Sequence, residues 1–106
     1  MILYIDTSDR DGIVVGIDQK MFEAQARQNA SQKLLPFIDT VLKNLPAQAG
    51  KKTLKDITEI KVNTGPGSFT GLRVGVAVAN ALGWTLGVPV NGKNLDKGEC
   101  VDIKYQ

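Results

Sequence analysis

The chain has 106 residues, 42% of them hydrophobic, enough for one domain with a modest core and too few for a second. With 13 Lys and Arg against 11 Asp and Glu, a formal charge of +2 gives no electrostatic reason for the chain to grip nucleic acid or a membrane alone, so any RNA connection has to run through a partner. A single cysteine, Cys100, excludes an intrachain disulfide, and without histidine a zinc site of thiolate and imidazole ligands is not available.

Residues 1–6, MILYID, are rich in strand formers and lack the basic start and long apolar stretch of a signal peptide. They predict a buried strand from Ile2 to Asp6. Turn chemistry at Asp9 to Gly12 leads into GIVVGID, a second strand over 12–18, and after a turn at Asp18 to Lys20 the stretch Met21 to Ala26 returns as a third. Together they predict an antiparallel β-meander. From a cap at Ser31, Leu34, Leu35, Ile38, Val41, Leu42 and Leu45 fall on one face at helical spacing, which predicts an amphipathic helix ending near Asn44. Pro36 either begins its regular part or kinks it.

Pro46 to Lys55 is a polar connection whose lysines form a solvated face. Ile57 to Asn63 predicts a strand, and a helix from about Thr70 to Leu86 follows, with Gly87 as its C-cap and Pro89 stopping its continuation. Val88 to Val90 can start a further strand, and Cys100 to Tyr105 a terminal one. The apolar residues of 72–90 are interrupted by Arg73, Asn80, three glycines and Pro89, so no membrane span is expected and a soluble, cytosolic chain is. Helices between strands imply parallel crossovers beside the antiparallel meander, hence an α/β fold with a mixed sheet.

Two segments invite a chemical reading. Gly65, Gly67 and Ser68 stand between a strand end and a helix start, where unpaired backbone N–H groups and the helix dipole suit an anion; alternatively the glycines only permit a tight turn and Ser68 only caps. Asp6, Thr7 and Ser8 close the first strand, and a carboxylate beside two hydroxyls suits a hydrated Mg ion and a phosphate, or simply an Asx or Ser/Thr turn. Neither segment offers a nucleophile with a general base beside it.

The second helix carries two stripes. Gly71, Gly75, Ala79, Gly83 and Gly87 recur every four residues and make a groove for close packing, either by this domain's own sheet or by another helix. On another face Arg73, Ala77, Asn80 and Trp84, with Val76 beside them, suit a partner surface anchored by Arg and Trp; the alternative for Trp84 is the partly buried edge of the core.

MILYIDTS at the start, SQKLLPFID in the first helix and above all GPGSFTGLRVG at 65–75 resemble the TsaB family, a subunit of the bacterial machinery that makes threonylcarbamoyl-adenosine in tRNA. The resemblance implies a lobe of the actin-like, ribonuclease H-like ATPase fold over residues 1–91, with 92–106 a divergent tail and no second lobe. It also implies a non-catalytic subunit that pairs with and stabilises a TsaD-like enzyme through the two helices. A TsaE-like ATPase would be reached through that complex and tRNA only indirectly. No cofactor is expected on this chain alone, with ATP and Mg only at the assembled complex, because Asp6 to Ser8 match a phosphate-loop motif regarded as degenerate in this family. The glycine loop then mainly shapes the entry to a dimerisation helix. The family's usual second lobe and Ser-rich turn give way here to NGKNLDKGEC, a common His to Ala30 and a common Arg to Thr64. A minimal partner-binding lobe is therefore expected, whose helix surface closes as a homodimer where no TsaD is present; the alternative is a stand-alone homodimeric lobe with residual nucleotide or phosphate binding. The rival expectation, a stand-alone nucleotide hydrolase or kinase using Asp6 to Ser8 and Gly65 to Ser68, would work with half of a two-lobed ATP cleft.

Overall fold

A computed structural model of the chain describes residues 1–9, 11–26, 30–45, 53–94, 98–99 and 101–102. Strands β1 (Ile2–Asp6), β2 (Gly12–Ile17) and β3 (Lys20–Gln25) form the meander, helix α1 (Ala30–Lys43) follows, and β4 (Glu59–Val62) and helix α2 (Phe69–Leu86) complete the elements. The sheet order is β3-β2-β1-β4, with β1 antiparallel to β2 and parallel to β4. The mixed sheet expected from the order of elements is thus present.

Period-two alternation decides which side of the sheet is covered. Leu3 and Ile5 of β1 lie opposite Ile17 and Val15 of β2, all four are buried, and Ile60 of β4 sits beside Leu3 on the same face. Both helices pack on that face: α2 stands over Ile5 and Thr7, and α1 packs on β2 and against α2. The opposite face, carrying Tyr4, Val14 and Met21, is partly exposed.

Helix α1 buries Leu34, Ile38, Val41 and Leu42, as the spacing predicts, but Leu35 is 50% exposed. It sits one step past the buried arc, at the margin of the apolar stripe. Pro36 lies inside an unbroken helix, where the carbonyl it cannot serve belongs to Gln32, on the exposed side of α1. The strand expected from Ile57 is shorter, because Thr53 and Asp56 form a capping box around a 3-10 turn, Leu54–Asp56, and β4 begins only at Glu59. The strand expected at Val88 to Val90 contracts to a single parallel bridge between Val90 and Ile60. Of the expected terminal strand, Val101 and Asp102 are described and are not in a strand; its other residues lie outside the described set.

Candidate functional site

The two segments singled out in the sequence meet in space. The Ser68 N–H donates to the Ser8 carbonyl at 2.7 Å, and a Cβ built on Gly67 would stand 2.5 Å from Ser8 Cβ, so only glycine lets the loop lie against the end of β1. Ser68 caps α2, its Oγ accepting from the Gly71 N–H at 3.4 Å. Thr7 is fully buried, and its hydroxyl donates to the Gly71 carbonyl. A Cβ on Gly71 would lie 2.1 Å from the Thr7 carbonyl oxygen and one on Gly75 2.3 Å from Thr7 Oγ1. The glycine stripe therefore faces this domain's own first strand. Gly71, Gly75, Ala79 and Gly83 are all buried, which assigns that part of the stripe to internal packing, while Gly87 at its end is exposed.

Asn63, which the sequence reading passed over, holds the junction together. Its N–H donates to the Ile5 carbonyl, its side-chain amide donates to Asp6 Oδ1 at 3.2 Å, and its Oδ1 accepts from the Gly65 N–H at 3.0 Å. Asp6 Oδ1 also accepts from the Ser8 N–H at 2.9 Å, and Asp6 Oδ2 from the Tyr4 hydroxyl. Burial alone would raise the Asp6 carboxyl, but the bonds from Ser8, Asn63 and Tyr4 outweigh it and hold the group below its ordinary range. Tyr4 is pushed up by burial first, then by the negative charge of Asp6 and the bond to it. Asp6 is thus a fixed, ionised carboxylate.

Asp6 and Ser8 open on a groove of about 820 Å³ that is also lined by Asp9, Asp11, Glu23 and the start of β2. Its described walls are negative. The backbone N–H groups of Ser8, Gly65, Ser68 and Gly71 are each already bonded within the chain. An anion bound by these four N–H groups would have to displace their internal partners, and one in the groove would meet several carboxylates. Among the described residues, acidic side chains do not converge into a set that could hold a metal.

The second stripe of α2 divides. Arg73, Ala77 and Trp84 are exposed, Trp84 by 69%, and Phe69 one turn before Arg73 is 45% exposed. The Arg73 guanidinium lies over the Phe69 ring, 5.3 Å from its centroid. Val76, grouped with them from the sequence, belongs instead to the buried core, because it falls toward the glycine side of the helix. Asn80 stands at the margin, and its amide is engaged by the chain's own C-terminal segment: Nδ2 donates to the Val101 carbonyl at 2.9 Å and Oδ1 accepts from the Val101 N–H at 3.2 Å. Val101 is buried there. No helix among the described residues is long and apolar enough to cross a membrane.

A mixed sheet opened by a β-meander, with two helices on one face and a glycine loop meeting the end of β1, is a lobe of the actin-like, ribonuclease H-like ATPase class. Residues 22–94, more than half of the chain, match the family model of TsaD, the tRNA N6-adenosine threonylcarbamoyltransferase. The chain belongs to that family, and within it resembles the TsaB proteins. It is 35% identical to the tRNA threonylcarbamoyladenosine biosynthesis protein TsaB of Buchnera aphidicola over 87% of this chain and 43% of that protein. With TsaB of Bacillus subtilis the identity is 31%, over 85% and 39%. YeaZ from Pseudomonas aeruginosa superposes with a TM-score of 0.67 at 27% identity, covering 84% of this chain and 41% of that one. The chain thus spans about two fifths of the length of these relatives.

Proposed function

We propose that this chain is a non-catalytic partner lobe that binds and stabilises a TsaD-like subunit in the formation of threonylcarbamoyl-adenosine in tRNA. The observation that carries the proposal is the outer ridge of α2, where Arg73, Ala77 and the exposed Trp84 present a cation and a large aromatic beside a small residue. A free indole on a helix is costly in water and is typical of interface anchors. Relatives named TsaB and relatives named as the transferase itself both match this chain, which supports pairing between two lobes of one design.

The same reading places residues 1–91 as the lobe and 92–106 as its appended tail, puts the chain in the cytoplasm, and routes any contact with tRNA or a TsaE-like ATPase through the complex. The acidic groove beside Asp6 supports a chain that holds no nucleotide by itself, with ATP and Mg meeting it only in the assembly. A second reading uses the same ridge: in the absence of a TsaD-like partner, Trp84 closes against a second copy as an isologous homodimer. The groove does not favour the third, a stand-alone hydrolase or kinase.

Co-purification with the cognate TsaD-like protein tests the proposal. A complex at micromolar concentration supports it; two folded proteins that stay apart, with this chain dimeric, favour the second reading. Isothermal titration with ATP and Mg addresses the third, since micromolar binding by the isolated chain would revive it.

A further inference from the structure

The strand expected from Val88 is reduced to one residue of pairing at Val90, and the manner of its stopping is informative. In a parallel ladder, one residue of β4 bonds to the two neighbouring strand residues that flank its partner, and the next inward step repeats the pattern two residues on. The first step is present: the Ile60 N–H donates to the Pro89 carbonyl and the Asn91 N–H to the Ile60 carbonyl, each at 2.9 Å. For the second, Val62 should bond to the carbonyl of residue 91 and the N–H of residue 93.

The backbone makes neither bond, because the chain reverses at Asn91–Gly92. Both have positive φ, 49° and 79°, and Val90 and Lys93 exchange two backbone hydrogen bonds around them, the arrangement of a two-residue type I′ hairpin. Instead the Asn91 side chain takes both places. Its Oδ1 accepts from the Val62 N–H at 2.9 Å and its Nδ2 donates to the Val62 carbonyl at 3.0 Å. A carboxamide carries the same donor and acceptor as a peptide group, so the ladder is completed without a strand.

We infer that Asn91 is a sheet-terminating clasp: its side chain stands in for the missing peptide of a fifth strand and seals the β4 edge against strand addition from another chain. An open edge next to Val62 would present an unpaired N–H and C=O beside a buried apolar residue, the template for intermolecular pairing. The hairpin turns the backbone away, and the amide covers what the turn exposes. The inference is independent of the partner assigned to α2.

Asn91→Gly tests it, because glycine keeps the positive φ that the hairpin needs and removes only the clasp. Amide hydrogen exchange should show the Val62 N–H exchanging about tenfold faster or more, while Ile60, bonded to the Pro89 backbone, keeps its protection. Sedimentation should show Trp84→Ala/Asn91→Gly associating more strongly than Trp84→Ala alone, a comparison that leaves α2 out. Unchanged Val62 exchange, or no added association, overturns the inference. Should the variant be too unstable for residue-level exchange, the wild type gives a second reading: Val62 must be protected to the level of Ile60, and a Val62 amide exchanging as fast as that of Thr64 in the following loop overturns the inference too.

Discussion

The carbonyl oxygen of Thr7 and the Cα of Gly71 are packed so closely that a Cβ on the glycine would lie 2.1 Å from that oxygen. Gly71→Ala would gain about 1 kcal/mol of helix propensity. Against this, the obstacle is backbone, which cannot rotate aside, and overpacking of a well-filled interface costs about 1–3 kcal/mol or more. The variant is expected to be less stable than the wild type in urea denaturation. Gly87→Ala, at a left-handed C-cap with φ 68° and open space around it, should lose about 1 kcal/mol through backbone conformation alone. A Gly71→Ala chain as stable as the wild type would show that α2 can shift on the sheet.

Thr7 is the one fully buried hydroxyl beside this contact. Thr7→Val keeps its shape and removes the donor to the Gly71 carbonyl, and the expected loss is on the order of 1 kcal/mol. Thr7→Ser retains the donor but opens a methyl-sized void. Equal stability of Thr7→Val and the wild type would mean that the hydrogen bond contributes nothing net.

Asp6 gives the acid limb of stability a definite sign. Its carboxyl is lower in the folded chain than its ordinary value of 3.8. Such a group contributes stability that is present in full above the unfolded value and is lost as pH falls through the folded one. Chemical denaturation from about pH 6 down to about pH 3 should therefore show a smaller fall for Asp6→Asn than for the wild type, starting near the ordinary carboxylate range. Parallel curves for the two chains would remove Asp6 from the acid response.

Asn80 joins α2 to Val101 through two hydrogen bonds. Asn80→Ala leaves the Val101 backbone without both partners, and a loss of about 1–2 kcal/mol is expected, together with faster cleavage of the C-terminal segment by a nonspecific protease. Unaltered proteolysis would show that burial of Val101 is sufficient to hold the segment.

Much of this architecture is legible in the chain. The short apolar runs of strand formers in MILYID and GIVVGID announce β1 and β2, and the stripe through Leu34, Ile38 and Leu42 announces α1, because burial of one helix face imposes a period on the residues. GPGSFTGLRVG announces both the loop and the family. The roles of the glycines were not legible, since a small residue every four positions suits a sheet and a partner helix equally; the proximity of Thr7, 64 residues from Gly71, decides between them. Val76 was misplaced for a related reason: one helical step separates the exposed ridge from the core. Asn63 and Asn91 act through contacts distant in sequence, although the Asn-Gly pair at 91–92 carries a hairpin signal that could have been read.

The central claim is that the exposed ridge of α2 is an association surface. Sedimentation velocity of the chain with its cognate TsaD-like protein, using wild type, Trp84→Ala and Ala77→Glu with circular dichroism on each, tests it most directly. The account predicts a complex for the wild type, and for both variants an affinity lowered by about 2 kcal/mol or more with the fold retained, since one loses an anchor and the other buries a charge without a partner. Undiminished complex formation by both folded variants would contradict it.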